Sequence, residues 1–156
     1  MNQIFLVNNR LNYISLKFYK FMKAIILAAG IGSRLGELTK ILPKPLIDVN
    51  GKSIIERQIE VFRKAGINEI TIITGYKKDK FIFEDVNYVF NSKYEEVEQA
   101  FSLMVARKQI VGDVIISFGD IIFEDKIIEQ ILKIKNDVVI GVEPNWIKLY
   151  EKIRIY

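Results

Sequence analysis

The residues of this chain that are best suited to chemistry are a glycine-rich, cationic loop and a lysine between two prolines. An apolar run of residues 24–29, typical of a buried parallel strand, leads directly into Gly30-Ile-Gly-Ser-Arg34. Glycines let backbone N–H groups approach phosphate oxygens, and an arginine can bind such oxygens through two N–H groups. Lys44 follows between Pro43 and Pro45, which restrict its backbone. We therefore expect this stretch to bind a polyphosphate.

Two better-known nucleotide motifs are nearly matched here, and both fail. The loop misses the dinucleotide pattern G-x-G-x-x-G because residue 35 is leucine. Gly51-Lys52-Ser53 resembles the end of a P-loop, but the earlier glycine that a P-loop requires falls on Leu46. The usual ATPase and NAD-dependent dehydrogenase classes are therefore disfavoured. An ordinary strand-to-helix turn stays the alternative for the loop, as does a solvated surface position for Lys44.

Composition limits the metal and acid–base chemistry that is open to the chain. Its 156 residues contain no cysteine and no histidine, which excludes disulfides, thiolate metal sites and the commonest general base. Any metal must be held by oxygen, so we expect Mg²⁺ or a similar hard cation. Asp120 is the candidate ligand because it follows the apolar run 114–118 directly after Gly119. A cap for the next helix is the alternative role of Asp120.

The net charge of +4 gives little support for a nucleic-acid partner. The first 36 residues hold five Lys and Arg and no acidic residue, whereas the rest of the chain holds 18 basic and 19 acidic side chains. We therefore expect no nucleic-acid partner. The apolar run of residues 4–7 is too short for a signal-peptide core or a membrane span. We expect a cytoplasmic protein without membrane association, and the sequence leaves its oligomeric state open.

The order of the remaining elements predicts the fold. Apolar strands at residues 24–29, 70–74, 87–91, 114–118 and 138–142 alternate with helical segments. This alternation predicts an α/β domain, with a Rossmann-like, doubly wound, mostly parallel sheet and helices on both faces. We expect the domain to comprise residues 23–156, with residues 1–22 as an extension outside the core fold. An added strand or helix is the alternative for this extension.

Local signals predict where the helices begin and which side they bury. Ser53 and Glu56 form a capping box at the start of one helix, and Asp125 is the predicted cap of the last. The helix predicted over residues 95–108 has Phe101 and Met104 on its apolar side.

Three predicted strands end in residues suited to ligand binding. Gly30 follows the first strand, Gly75-Tyr76 the second and Gly119-Asp120 the fourth. Ligands in sheets of this class bind at the carboxyl ends of the strands, so we expect these residues to form one site.

Taken together, these motifs resemble the sugar-phosphate nucleotidyltransferase superfamily over about residues 23–150. In chain order they are Leu27-Ala28-Ala29-Gly30-x-Gly32-x-Arg34, Thr39, Pro43-Lys44-Pro45-Leu46, Gly51 and Gly75-Tyr76. The later stretches are similar to the branch that contains phosphocholine and phosphonate cytidylyltransferases. They are Asn91-Ser-Lys-Tyr94, Ser102-Leu103, Phe118-Gly119-Asp120-Ile-Ile-Phe123 and the tail 143–150.

The resemblance implies an enzyme that transfers a nucleoside monophosphate from a nucleoside triphosphate, with CTP favoured, and releases pyrophosphate. The acceptor would be a small phosphorylated molecule (phosphocholine, a phosphonate or a sugar phosphate), and Mg²⁺ would be the cofactor. Arg34 and Lys44 take catalytic roles by this resemblance, and Asp120 binds the metal. The implied nucleotide-binding residues are Leu27, Ala28, Ala29, Gly30, Gly32, Ser33, Arg34, Lys44, Gly75, Tyr76, Gln99 and Gly119.

Two features depart from the pattern of this branch. Asparagines usually precede the Ser-Leu pair, where this chain has Glu98 and Gln99. Family members are generally longer, and their additional part supplies acceptor contacts and a second metal-binding aspartate. We therefore expect residues 23–156 to be the N-terminal, nucleotide-binding part of a C-terminally truncated domain. A non-catalytic, nucleotide-binding remnant is the alternative.

Overall fold

The computed structural model describes residues 4–7, 22–142 and 144–145. The strands are β1 (Ile4–Val7), β2 (Lys23–Ala28), β3 (Asp48–Val49), β4 (Lys52–Ser53), β5 (Glu69–Thr74), β6 (Asn87–Phe90), β7 (Val114–Phe118) and β8 (Val138–Gly141). The helices are α1 (Glu37–Ile41), α2 (Ile54–Lys64), α3 (Gln99–Val105) and α4 (Asp125–Lys133). None of the helices in these ranges is long and apolar enough to cross a membrane.

Six strands form the central sheet in the order β6-β5-β2-β7-β1-β8, and β3 pairs with β4 in a separate ribbon. Strands β6, β5, β2 and β7 are parallel to one another, whereas β1 is antiparallel to both β7 and β8. Apolar side chains alternate between the two faces: α2 and α4 cover the face of Ala24 and Ile26, and residues of α3 cover the face of Ile25 and Ile73. The predicted fold class is confirmed.

The strand order places a topological switch point between β2 and β7. The chain builds β5 and β6 outward on one side of β2 and then places β7 on the other side. In sheets of this class the connections leave a crevice at the carboxyl ends of the two strands where the order reverses. The segments that follow β2 and β7 are the predicted glycine loop and the Gly119-Asp120 turn, so both open onto this crevice.

Strand β1 contradicts the prediction that residues 1–22 lie outside the core fold. Residues 4–7 pair with β7 on one side and with β8 on the other, and the side chain of Leu6 is fully buried. The physical reason is that β7 and β8 are not neighbours, so the strand between them supplies backbone hydrogen bonds that both need. The prediction is wrong for these four residues. Residues 1–3 and 8–21 lie outside the described part.

Helix α2 begins and ends as predicted. The hydroxyl of Ser53 accepts a hydrogen bond from the Glu56 N–H group, and the Glu56 carboxylate accepts bonds from the Ser53 hydroxyl and N–H group. The pKa of Glu56 is lowered because the hydroxyl and then the N–H group of Ser53 stabilise its ionised form. The helix ends before Gly66, whose φ of +81° favours glycine.

Two predictions about the other helices are wrong. Helix α3 is shorter than predicted, and Phe101 and Met104 are 45% and 53% exposed, while Ser102 and Ala106 are buried. Ser102 faces inward because its hydroxyl accepts a buried hydrogen bond from the side chain of Asn91. Asp125 is not a cap: α4 begins with it, and its carboxylate accepts a hydrogen bond from Lys64 of α2 at 3.2 Å.

Candidate active site

The crevice brings the end of β2 against the end of β7. The Gly119 N–H group donates a hydrogen bond of 2.8 Å to the Leu27 carbonyl. A Cβ atom at Gly119 would lie 3.0 Å from Pro45 Cγ and 3.1 Å from Ala28 Cβ, so a larger residue would crowd both. The predicted residues Leu27, Ala28 and Gly119 therefore meet beside the proline segment that carries Lys44.

Lys44 reaches Asp120 across this crevice. A 3₁₀ turn, Lys44–Leu46, follows Pro43, and the two prolines that flank Lys44 are buried. Lys44 Nζ lies 2.8 Å from Asp120 Oδ2, and the two side chains are 31% and 36% exposed. The backbone of the lysine is fixed by buried neighbours, while its ammonium group and the carboxylate stay within reach of a ligand from solvent.

Gly32 places the glycine loop against Lys44. Its φ of +72° lies in the left-handed region that favours glycine, and a Cβ atom there would lie 3.0 Å from Lys44 Cβ and 3.3 Å from Thr39 Cγ2. The Thr39 hydroxyl is within hydrogen-bond distance of the carbonyls of Gly32 and Gly36, at 3.3 and 3.1 Å. The loop, the lysine and α1 thus pack as one unit.

Gly75 and Tyr76 hold the opposite side of the loop. The Tyr76 N–H group donates a 3.0 Å hydrogen bond to the Ala29 carbonyl, and its hydroxyl donates another of 3.0 Å to the Thr39 carbonyl. A Cβ atom at Gly75 would lie 2.6 Å from the Ala29 oxygen and 2.5 Å from Tyr94 Cβ. Glycine is required at position 75 because the Ala29 carbonyl and the Tyr94 side chain leave no room for a Cβ atom.

An aromatic pair borders the crevice beside Gly75. The rings of Tyr76 and Tyr94 have centroids 6.4 Å apart and are tilted by 54°. A hydrogen bond with Glu95, followed by desolvation, raises the pKa of Tyr94. The raised pKa reflects a phenol O–H group that donates to the Glu95 carboxylate.

Some predicted residues face solvent without contacting the others. Gly30, Ser33 and Arg34 are exposed, the last two in the 3₁₀ turn Ser33–Leu35. Within the described ranges no hydrogen bond or ion pair engages the Arg34 guanidinium, which leaves it available to an anion. Gln99 is exposed at the first position of α3, and no hydrogen bond between described residues joins it to the glycine loop.

The inward position of Ser102 follows from a buried polar link. Asn91 follows β6, and its Nδ2 donates a 2.9 Å hydrogen bond to Ser102 Oγ while its Oδ1 accepts one from the Lys93 N–H group at 3.0 Å. The Asn91 N–H group donates to the Thr74 carbonyl at 2.8 Å. This link fixes α3 beside the carboxyl ends of β5 and β6. The resemblance includes Asn91 and Ser102, but their contact was not predicted.

Gln58 is a further residue that sequence reasoning missed. It lies on α2 and is 1% exposed, and its side-chain amide bonds to residues 117, 118 and 121 around the Asp120 turn. The available signal was a polar residue within the apolar stripe of α2, next to Ile55 and Ile59.

Asp120 fits a metal ion that arrives with a nucleotide. In the described part of the chain, no three acidic side chains cluster in a way that could hold a metal ion. Mg²⁺ keeps several waters and is usually bound by one or two carboxylates together with substrate phosphates. The donor chemistry of Asp120 therefore suits the protein's share of such a site, and a metal site independent of the nucleotide is not formed by these residues.

Residues 24–145 match the profile of a protein family described as the MobA-like NTP transferase domain. The chain belongs to this family. The match contains the glycine loop, Lys44, the Gly75-Tyr76 pair and the Gly119-Asp120 turn. The predicted membership of the nucleotidyltransferase superfamily is thereby confirmed.

Several curated proteins to which this NTP transferase domain is similar are cytidylyltransferases. The chain is 35% identical over 144 residues to CTP:phosphoglutamine cytidylyltransferase of Campylobacter jejuni (84% of this chain, 56% of the relative). It is 41% identical over 108 residues to choline-phosphate cytidylyltransferase of Streptococcus pneumoniae (67% and 47%). The solved structure of CTP:phosphocholine cytidylyltransferase from Streptococcus pneumoniae matches with a TM-score of 0.62 and 38% identity, covering 67% of this chain and 50% of that chain. The chain spans about half the length of these relatives.

Proposed function

We propose that this chain transfers a nucleoside monophosphate from a nucleoside triphosphate to a small phosphorylated acceptor and releases pyrophosphate. CTP is the favoured donor, and phosphocholine, a phosphonate or a sugar phosphate is the acceptor. The observation that carries the proposal is the pairing of Lys44 with Asp120 at the switch point, directly against the glycine loop. Membership of the family supports the reaction class, and the cytidylyltransferase relatives support the donor.

The phosphate groups are bound by the loop and two cations in this proposal. The exposed residues Gly30 and Ser33 and the half-buried Gly32 offer backbone N–H groups, and the guanidinium of Arg34 can bind two phosphate oxygens at once. Lys44 contacts the phosphates near the reacting phosphorus. Both cations neutralise the negative charge that moves onto the pyrophosphate as it leaves, which lowers the barrier.

The bond changes need no nucleophilic side chain. A lone pair on an acceptor phosphate or phosphonate oxygen forms a bond to the α-phosphorus, and the bond from that phosphorus to the bridging oxygen of the β-phosphate breaks. Pyrophosphate departs with the bonding electron pair. The acceptor is already an anion at neutral pH, so positioning and charge neutralisation suffice. A chain without histidine can perform this reaction.

Asp120 would bind Mg²⁺ together with the phosphates of the nucleotide, and the bound cation would supply further positive charge at the leaving group. When a nucleotide binds, Lys44 would exchange its contact with Asp120 for a phosphate oxygen, and Asp120 is the residue that would hold the cation. The partly exposed ion pair is suited to this exchange because neither group is sealed from solvent.

Recognition of the base is assigned to the residues around the end of β2 and to α3. In this proposal Ala28, Ala29 and Gly30 lie against the base and ribose, with Gly75, Tyr76 and Gln99 nearby. Ala29 is joined to Tyr76 by the hydrogen bond described above, which supports a shared position in the site for these two residues. The contact of Gln99 with a nucleotide and the cytoplasmic location stay predictions.

Pyrophosphate release tests this function. The chain is incubated with Mg²⁺ and either CTP with phosphocholine, or UTP or dTTP with a sugar 1-phosphate. We expect release with CTP and phosphocholine, and none when the acceptor is omitted. Absence of release with every pair would contradict catalysis by this chain.

Non-catalytic nucleotide binding is the second candidate, and the observation that favours it is that no three acidic side chains of the described residues cluster to hold a metal ion. This candidate requires CTP affinity that depends on Arg34 and Lys44 but no pyrophosphate release. Calorimetric CTP titration beside the release assay distinguishes the two functions.

A further inference from the structure

The turn that carries Asp120 rests on a buried glutamine from a different part of the chain. Gln58 Nε2 donates a 2.8 Å hydrogen bond to the Phe118 carbonyl and a 2.6 Å bond to the Ile121 carbonyl. Its Oε1 accepts a 2.8 Å bond from the Ser117 hydroxyl. The amide therefore bonds to residues on both sides of Gly119-Asp120.

The orientation of this amide is fixed by its partners. Two carbonyl oxygens can accept only from the NH₂ group, so the amide oxygen must face the hydroxyl of Ser117. Gln58 is 1% exposed, and water cannot replace these bonds. Removal of the amide would take this donor away from the carbonyl groups of Phe118 and Ile121 and so destabilise the turn.

The turn has little support from its own backbone. The hydrogen bond from the Ile121 N–H group to the Phe118 carbonyl is 3.4 Å long, which is weak. The two bonds from Gln58 are shorter and join the same two residues. The spacing of residues 118 and 121, and hence the direction of Asp120 between them, therefore depends on a side chain of α2.

We propose that Gln58 is a positioning residue for Asp120, holding its carboxylate where it meets Lys44 and, on nucleotide binding, the metal ion. The proposal rests on the proposed function. Gln58 touches neither ligand; it acts through the geometry of the turn. Loss of such a supporting hydrogen bond typically weakens metal affinity by about 10- to 100-fold.

A double-mutant cycle tests this role. CTP affinity is measured by calorimetry, with and without Mg²⁺, for the wild type, Gln58→Met, Asp120→Asn and the double variant. We expect Gln58→Met to weaken Mg²⁺-CTP binding about 10-fold in the wild type and less than about 2-fold in the Asp120→Asn background or without Mg²⁺. Equal effects in both backgrounds would overturn the proposal, because a merely structural role gives additive losses.

Ser117→Ala is the matched control. It removes one buried hydrogen bond from the same amide but leaves both bonds to the turn, so we expect lower thermal stability with CTP affinity within about 2-fold of the wild type. If Ser117→Ala weakened Mg²⁺-CTP binding as much as Gln58→Met, general loosening of the core would explain both variants and the proposal would be overturned.

A measurement on the unmodified chain covers the case in which Gln58→Met does not fold. The side-chain NH₂ resonances of Gln58 are followed by ¹⁵N-edited NMR as Mg²⁺ is added to the CTP complex. We expect them to shift with Mg²⁺, and unchanged resonances would overturn the proposal. If the wild-type chain showed no Mg²⁺-dependent CTP affinity, the proposed function would be overturned as well. If the wild type bound Mg²⁺-CTP but the effects of Gln58→Met and Asp120→Asn were additive, only the role of Gln58 would be overturned.

Discussion

Lys44 Nζ and Asp120 Oδ2 lie 2.8 Å apart, although 76 positions separate the two residues in the chain. Their contact depends on two glycines: Gly32 packs against Lys44, and Gly119 packs against Pro45. The pair thus connects the loop after β2 with the turn after β7. This connection is the centre of the proposed site.

Lys44→Met removes the cation and keeps most of the apolar side chain. We expect CTP affinity to fall about 10-fold or more and turnover to fall about 10²- to 10³-fold, because in the proposed reaction Lys44 neutralises charge that develops on the departing pyrophosphate. Calorimetry and pyrophosphate release measure the two effects separately.

Lys40→Met is the matched control for this substitution. Lys40 is exposed and pairs with Glu37 at 2.6 Å, a surface contact worth about 0–1 kcal/mol. We expect its CTP affinity to stay within about 2-fold of the wild type. Similar losses in the two lysine variants would show that general surface charge, not the position of Lys44, accounts for binding.

Gly32→Ala tests the packing of the loop against the lysine. A Cβ atom at position 32 meets Lys44 and Thr39 and adds the cost of a left-handed backbone, about 1–2 kcal/mol. Gly112→Ala has a similar φ of +77° but open space around its Cβ atom, so it isolates the backbone cost. We expect both variants to lower the urea midpoint and only Gly32→Ala to weaken CTP binding. Equal CTP affinity in the two variants would contradict the role of Gly32.

Leu6→Ala tests the place of β1 in the sheet. Leu6 is fully buried, so its truncation should cost about 2–5 kcal/mol. Among the described strands β8 pairs with β1 alone, and the family match from residue 24 onward includes β8 but not β1. We therefore expect hydrogen exchange in β8 to accelerate more than in β5. Unchanged protection of β8 would mean that β1 does not hold it.

Glu56→Gln tests the charge in the capping box of α2. The pKa of Glu56 is lowered in the folded chain by its bonds with Ser53, so its ionised form stabilises the fold. This contribution is fully present above the unfolded pKa of about 4.3 and is lost as the pH falls through the folded pKa. Urea unfolding of both proteins from pH 7 to pH 3 should show a stability difference that shrinks at the acidic end. A difference that does not change with pH would contradict the assignment.

The parallel part of the fold could be predicted because each strand is a short apolar run between helical segments. The capping box lies at Ser53 as predicted, and β2 ends one residue before the predicted end at residue 29. Strand β1 was missed because four apolar residues carry no signal of a distant partner. Its pairing with β7 and β8 is a long-range property of the sheet.

The candidate site could be predicted from its glycines and charges, but not the groups that support it. Lys44 was predicted from its place between two prolines after the glycine loop and Asp120 from the end of a predicted strand, and the two side chains do meet. Gln58 and the Asn91–Ser102 bond were missed because a buried amide looks like a surface residue until its partners are known. The inward face of α3 was predicted wrongly for the same reason, since Ser102 occupies that face through its bond with Asn91 while Phe101 is exposed.

Phosphorus NMR of one reaction mixture is the sharpest test of the proposed transfer between CTP and the acceptor. The chain is incubated with CTP, phosphocholine and Mg²⁺, and the ³¹P spectrum is followed with Lys44→Met as the control. We expect loss of CTP, growth of pyrophosphate and growth of a coupled diphosphate pair in which the α-phosphorus of CTP is joined to the phosphorus of the acceptor. An unchanged spectrum, or CTP consumed while the phosphocholine signal stays constant, would contradict the proposed transfer.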